Sequence, residues 1–261
     1  MKKTPLSPDL DKIPSVFHPL MAGIPVFDSS CSPEARVFFI HRDGGYYLKT
    51  AAKNKLKREA ELTGYFHHKG LAPEVCAYLS EEQDWLLTQR IPGDDCIHPM
   101  YLENPERLCD TTAELLWNLH QMDHSGCPVP DHTKDYLERA ARNYETGNYD
   151  KSAFPDSFGY TSAAEAWMVI ERDSKYLKSD NLLHGDYCLP NIMLDNWRFS
   201  GFIDLDCAGV GDRHVDLFWG TWTLWFNLKT NKYYDRFLDA YGRSAVEPDL
   251  LRLIAACEVF G

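Results

Sequence analysis

The period of the apolar pattern changes once along the chain, and that change restricts the fold more than any other feature. Arg36–His41 and Tyr46–Lys49 are β-rich runs separated by Asp43-Gly44-Gly45, which is hairpin punctuation. Val75–Leu79 and Trp85–Thr88 repeat the pattern, with Glu81-Glu82-Gln83-Asp84 as a polar turn. Between them the spacing predicts one helix, from about Lys53 to His67. The breaker cluster Ile91-Pro92-Gly93-Asp94 ends this regime and reads as a hinge. Beyond it the spacing is helical. Pro105 takes a first helical position, and Leu108, Thr112, Leu115, Leu116 and Leu119 follow. Further helices are predicted over Lys134–Tyr144, from the capping box Ser162-Ala163-Ala164-Glu165 to Leu177, and over 212–227, 233–241 and 249–260. Strand character returns only briefly, on either side of Asp195-Asn196-Trp197. Strands early and helices late predict an α+β, two-lobed chain. The N-terminal lobe, residues 1–91, is small and β-rich; the C-terminal lobe, residues 92–261, is larger and mainly helical.

Composition excludes several functions. Of 261 residues, 44% are hydrophobic and 25% charged, which suits a folded globular chain rather than a disordered one. A formal net charge of −12 argues against nucleic acid as a partner. It suits a cationic ligand, or simply solubility. The eight cysteines form no C-x-x-C pair, so zinc-ribbon and thioredoxin-like chemistry have no support. Apolar neighbours, as in Val75-Cys76-Ala77, read as small buried hydrophobes in a reducing compartment. The longest apolar candidate, Leu217–Phe226, is interrupted by Gly220, Thr221 and Thr223, so no membrane span is expected. With no apolar leader after Met1-Lys2-Lys3-Thr4-Pro5, the reading is cytoplasmic.

The chemistry concentrates in Leu182-Leu183-His184-Gly185-Asp186-Tyr187-Cys188-Leu189-Pro190-Asn191. Kinase catalytic loops place His, Asp and Asn at this spacing, with Arg where Gly185 stands. Phosphoryl transfer needs a carboxylate to orient the attacking hydroxyl and accept its proton, and oxygen ligands for Mg²⁺ nearby. Asp186 and Asn191 supply one of each. The following hairpin, Ile192-Met193-Leu194 to Phe202-Ile203, delivers Asp204 where kinases carry a metal-binding Asp. Upstream, Tyr46-Tyr47-Leu48-Lys49 ends a strand in a lysine placed to hold nucleotide phosphates, and Glu59 in the next helix can pair with it. Singly, each residue reads equally well as a turn, cap or solvated charge. In this order, on these elements, they point to a phosphotransferase.

These residues resemble the aminoglycoside 3′-phosphotransferase family, a branch of the kinase-like fold. The likeness is carried by His184-Gly185-Asp186, Cys188-Leu189-Pro190-Asn191-Ile192-Met193, Arg198-Phe199-Ser200-Gly201-Phe202-Ile203-Asp204, Gly211-Asp212-Arg213 with Asp216, and the closing Glu258-Val259-Phe260. It implies a protein-kinase-like fold with nucleotide in the first lobe, and ATP and Mg²⁺ as cofactors. It implies Asp186 as the catalytic residue and Asn191 and Asp204 as Mg²⁺ ligands. Lys49, oriented by Glu59, would hold phosphates under a loop carrying Ser32, and the backbone of Gln89 and Ile91 would meet the adenine edge. Asp156, Glu258 and Phe260 would line the pocket of a cationic aminoglycoside or similar hydroxylated compound, in a monomer or weak dimer. Resistance through phosphorylation of a 3′-hydroxyl follows. Another hydroxylated amine or sugar as acceptor, or a catalytically silent nucleotide-binding module, are the alternatives. The sequence departs from the family at Asp206-Cys207, where Gly-Arg is usual, and at Cys257-Glu258 in place of Asp-Glu. It also departs in the aromatic helix carrying Trp219, Trp222, Trp225 and Phe226, which reads as packed on both sides rather than as a wall for ligand stacking.

Overall fold

The structure is a computed structural model that describes residues 3–149 and 159–261; Asp156 lies outside the described residues. Its strands are β1 (Thr4–Leu6), β2 (Val26–Asp28), β3 (Ala35–Ile40), β4 (Tyr46–Ala52), β5 (Val75–Ser80), β6 (Gln83–Gln89), β7 (Asp94–Asp95), β8 (Asn181–Leu183), β9 (Ile192–Asp195), β10 (Arg198–Phe202) and β11 (Gly209–Gly211). Its helices are α1 (His18–Met21), α2 (Lys57–His68), α3 (Pro99–Leu102), α4 (Pro105–His120), α5 (His132–Thr146), α6 (Ala163–Asp173), α7 (His214–Leu228), α8 (Tyr234–Tyr241) and α9 (Pro248–Glu258). The chain forms an α+β fold of two units, residues 1–96 with 190–206 and residues 97–189 with 207–261.

The first unit is built on a six-stranded antiparallel sheet in the order β1-β2-β3-β4-β6-β5. Period-two alternation sends Leu48, Trp85 and Leu87 to one face, where they pack with Ile13, Phe17, Met21, Phe38 and Ile40. On the other face Leu86 meets Leu56 and Ala60 of the α2 segment. Helix α2 begins at Lys57, not Lys53, because Asn54 adopts a left-handed φ of 67° and cannot be helical. The backbone N–H of Leu56 donates to Asp84 Oδ2 at 2.9 Å, and Ser80 Oγ donates to Asp84 Oδ1 at 2.6 Å. Asp84, expected in a polar turn, is therefore fully buried. Burial pushes its carboxyl up, but the donors of Ser80, Leu56 and Asn54 outweigh that and hold it below the usual range. Cys76 is also corrected: it is exposed, because the β5–β6 register shifts between Val75 and Ala77 and the extra residue leaves the alternation. Cys31 is exposed as well, while Cys96, Cys109, Cys127 and Cys257 are buried.

The Ile91–Asp94 segment is clamped to the later hairpin. Gly93 has φ 88°, and a Cβ there would lie 2.1 Å from the Leu194 carbonyl oxygen. β7 pairs with β9, and β9 with β10, in a small three-stranded sheet. That pairing draws residues 92–96 and 190–206 into the first unit, where a division at residues 91 and 92 would have put them in the second.

Among its described residues the second unit is helical apart from the β8–β11 pair and loops. Its core gathers Tyr136 and Ala140 of α5, Ala166 and Ile170 of α6, Val215 of α7, and Leu253, Ile254 and Ala256 of α9. Each such side chain, fully buried, contributes roughly 1.5–3 kcal/mol for the larger residues. Ser162 caps α6 by accepting from Glu165 N at 3.2 Å, but Glu165 returns its carboxylate to the N–H and hydroxyl of Thr161 rather than to Ser162. In α7, Thr221, Thr223 and Leu224 are buried while Trp225 is 40% and Phe226 46% exposed. The helix therefore has an open aromatic face, on which Trp222 stacks against Phe226 at 4.9 Å. Among the described residues no helix is long and apolar enough to cross a membrane.

Candidate active site

The same alternation that buries Leu48 places Tyr47 and Lys49 together on the opposite face of β4. The register sets Val37 of β3 and Leu86 of β6 opposite Lys49. Helix α2 lies over this face, so Glu59 reaches the lysine. Lys49 Nζ donates to Glu59 Oε2 at 2.8 Å and Oε1 at 3.0 Å. It also donates to Asp204 Oδ1 at 2.6 Å. Burial alone would lower the Lys49 pKa, but the two carboxylates outweigh it and hold the group above its usual value, as an ammonium. Burial pushes Glu59 up to about 7, against the pull of Lys49 and with added repulsion from Asp204.

These groups line a cavity of about 190 Å³. Its wall includes Ser32, Lys49, Glu59, Gln89, Ile91 and Asp204, so the structure brings six of the residues singled out in the sequence to one place. The N–H of Gln89 is taken by the Glu74 carbonyl at 3.0 Å. The N–H of Ile91 donates to no group among the described residues and stays open to a ligand. Tyr47, Met193 and Ile203 also line the cavity and escaped the sequence reading. Tyr47 was detectable, because it stands two residues before Lys49 on a strand and must share its face. Its ring offers a flat wall to a planar base. Met193 and Ile203 depend on how the later hairpin folds back, which spacing alone does not reveal.

Asn191 and Asp204 are joined by that hairpin. The Ile203 N–H donates to the Asn191 carbonyl at 3.0 Å, which sets the two oxygen-bearing side chains at the same end of the β9–β10 ribbon. Asp204 sits at a left-handed φ of 58°, a conformation that favours glycine. An amide oxygen and a carboxylate are hard donors, the set Mg²⁺ takes when nucleotide phosphates and water complete its shell. No group of three or more His, Cys, Asp and Glu side chains able to hold a metal occurs among the described residues.

In the second unit, Asp186 follows a tightly held turn. Both Asp216 oxygens accept backbone N–H groups, His184 N at 2.8 Å and Gly185 N at 2.7 Å. Asp216 in turn meets His120 Nε2 at 3.1 Å, and His120 Nδ1 meets the Tyr241 hydroxyl at 2.7 Å. Burial lowers the His120 pKa, which keeps that ring neutral. Gly185 is the one residue that fits its position: φ is 82°, and a Cβ would lie 1.8 Å from the Cys207 carbonyl oxygen. Farther along, Leu189 N donates to Thr223 Oγ1 at 3.1 Å and the Tyr187 hydroxyl to the Thr112 carbonyl at 2.7 Å. The segment from Asp186 to Leu189 is thus fixed from both α4 and α7. Asp216 and His120 carried no assigned role in the sequence, because their partners, backbone N–H groups for Asp216 and the Asp216 and Tyr241 side chains for His120, lie far away in the chain.

Glu258 Oε1 accepts from the Tyr136 hydroxyl at 2.7 Å and from Trp219 Nε1 at 3.1 Å, leaving Oε2 without a protein partner among the described residues. Burial pushes its carboxyl up, and the charge of Asp186 adds to that push. The aromatic Trp219 thus acts as a donor to the acid. The Phe260 ring, expected to line the acceptor pocket, is fully buried against Tyr144, Tyr149 and Trp167 and packs in the core of the second unit.

The model of the "Phosphotransferase enzyme family" matches residues 27–254. A protein of Lactococcus lactis described as a probable aminoglycoside 3′-phosphotransferase is 49% identical over 254 residues, 97% of either chain. An aminoglycoside 3′-phosphotransferase of Niallia circulans is 28% identical over 208 residues, 78% of each. Among solved structures, an aminoglycoside-3′-phosphotransferase of type VIII superposes with a TM-score of 0.70 at 25% identity, over 89% of this chain and 91% of the other. An aminoglycoside phosphotransferase of Streptomyces rimosus, in complex with ADP and streptomycin, gives a TM-score of 0.75 at 19% identity, over 97% and 99%, and so shares the fold.

Proposed function

This chain belongs to the phosphotransferase enzyme family, and on that premise we propose that it transfers the γ-phosphoryl group of ATP to the 3′-hydroxyl of an aminoglycoside. The observation that carries the reading is the Lys49 ammonium, held between Glu59 and Asp204 on the wall of a cavity that Ile91, with its open N–H, also lines. In it Lys49 binds α- and β-phosphate oxygens, Glu59 keeps the ammonium aimed, and Ser32 covers the phosphates. Ile91 N–H meets the base edge and Tyr47 its face. The Asn191 and Asp204 side chains would hold Mg²⁺, which when bound neutralises charge on the phosphates. Asp186 orients the acceptor hydroxyl and takes its proton as the oxygen bonds to phosphorus and ADP departs. Asp216 keeps Asp186 in place by anchoring its loop. Catalysis on this account is positioning and charge neutralisation. Glu258 Oε2 receives an acceptor ammonium. The names of the relatives support the acceptor class and the hydroxyl attacked.

A second acceptor class, another hydroxylated amine or sugar, is favoured by one observation. Where the family carries an acidic pair near its end, Cys257 is buried and Glu258 stands alone, already half-satisfied by Tyr136 and Trp219. Fewer free acids mean fewer charge-assisted bonds to a polycation. Mass spectrometry of a kanamycin-class drug, a choline-like amine and a simple sugar, each incubated with the protein and ATP, separates the two. One added phosphate on the drug, placed at C3′ by NMR, is expected; phosphate on another acceptor alone would move the assignment to the second class.

A further inference from the structure

Beside the open aromatic face of α7 lies a cavity of about 460 Å³. That volume is typical of small-molecule sites, roughly 300–1,000 Å³. Trp222 and Trp225 of α7, Tyr234 of α8, and Leu251, Arg252 and Ala255 of α9 line it. Leu251 and Ala255 are buried, whereas Trp225 and Tyr234 are 40% and 43% exposed. The cavity thus combines buried apolar groups with accessible aromatic rings. Two relations make it continuous with Glu258, the acid assigned to the acceptor. Trp222 meets Trp219 edge to face at 5.3 Å, and Trp219 Nε1 donates to Glu258 Oε1 at 3.1 Å. On α9, Glu258 stands three residues beyond Ala255, a spacing that puts both on one side of a helix. Charge changes sign along this side. Glu258 lies within the field of Asp186. Arg252, six residues earlier, lies about 9 Å back along the helix axis and lines the cavity.

We propose that this cavity is a second acceptor subsite, which takes a neutral, hydroxylated sugar ring of an acceptor whose amine is held at Glu258; it rests on the phosphotransfer reading of Asp186 and Glu258. A sugar ring presents C–H groups on its faces and hydroxyls around its edge. Its face lies on Trp225 and Trp222, while its hydroxyls stay in water or meet the Arg252 guanidinium. An ammonium on that ring would meet the Arg252 cation where Glu258 offers a carboxylate, and like charges repel. The subsite therefore selects acceptors that carry amines near Glu258 and none on the ring beyond. Contact with aromatic surface offsets the charge missing at Cys257.

Calorimetry on the full-length protein with ADP and Mg²⁺ measures Kd for two aminoglycosides, a two-ring core and the same core extended by one sugar ring without an amine. Wild type is expected to bind the extended compound about five- to tenfold more tightly, the effect of one well-stacked ring. In Trp225→Ala the ratio of the two Kd values should fall to within about twofold of unity, and Trp225→Phe should restore most of it. Arg252→Glu is an exposed change on α9. It should give an extending ring that carries an amine the advantage that wild type denies it. Mass spectrometry of both compounds after incubation with wild type and ATP checks phosphate transfer separately. Equal wild-type affinities, a ratio that Trp225→Ala leaves intact, or an aminated ring that gains nothing in Arg252→Glu overturns the subsite, while phosphate on the two-ring core leaves the phosphotransfer reading standing. No phosphate on either compound overturns both.

Discussion

Lys49 bears on every step of the account, and its two carboxylate partners do different work. Glu59 grips it with both oxygens, whereas Asp204 meets it with one. Burial pushes Glu59 up to about 7. Below that pH Glu59 gains a proton and loses its hold on the ammonium. kcat/KM for ATP should therefore fall as pH drops through about 7, since this quantity reports the free enzyme. The limb should vanish in Glu59→Gln, and in kcat it should lie lower, where a bound cation screens Asp204. For stability the sign is opposite. Between 4.5 and about 7 the folded protein holds a proton that the unfolded carboxyl has released, so this group makes unfolding easier as pH rises through that window. Gly185→Ala tests a different residue. The Cβ would meet the Cys207 carbonyl at 1.8 Å, and a left-handed φ leaves no easy escape. A loss on the order of 3–5 kcal/mol in urea unfolding is expected; unchanged stability would mean the turn can shift.

At the scale of elements, much was legible because period and punctuation agree. The Asp43-Gly44-Gly45 turn and the Pro105 helix start appear where the pattern puts them, and Lys49 lies on a strand as expected, although β4 does not end there but runs on to Ala52. What the pattern could not show was long-range capping. The start of α2 is set by Asp84, a residue far ahead in sequence that looks like part of a polar turn. Asp84→Ala strips partners from the N–H groups of Asn54 and Leu56. It should cost about 1–3 kcal/mol per group left unpaired, read as a lower urea midpoint with an unchanged m. The bulge at Cys76 and the open face of α7 were hidden for a similar reason: alternation and helical period assume regular pairing and a partner on each side. The turn at His184–Asp186 shows the same limit. His184-Gly185-Asp186 is readable as a motif, but its anchorage through Asp216 and His120 depends on contacts between residues 31 to 96 positions apart.

For the molecule as a whole, the early-strand, late-helix division predicted the fold class, and the family match and structural neighbours agree with it. The assignment of the 190–206 hairpin to the first unit was not legible, because it rests on β7–β9 pairing by a two-residue strand. Nucleotide should stabilise the protein by mass action. ADP with Mg²⁺ at 100 times its Kd adds about 2.7 kcal/mol, visible as a concentration-dependent Tm. Lys49→Ala should abolish most of that shift, whereas Asp186→Ala should keep it. That contrast leads to the most direct test, turnover of Asp186→Ala measured beside its nucleotide affinity. The account predicts a fall in turnover of about 10²–10⁴-fold with ADP affinity within about twofold of wild type. Near-normal phosphate transfer by Asp186→Ala would contradict it.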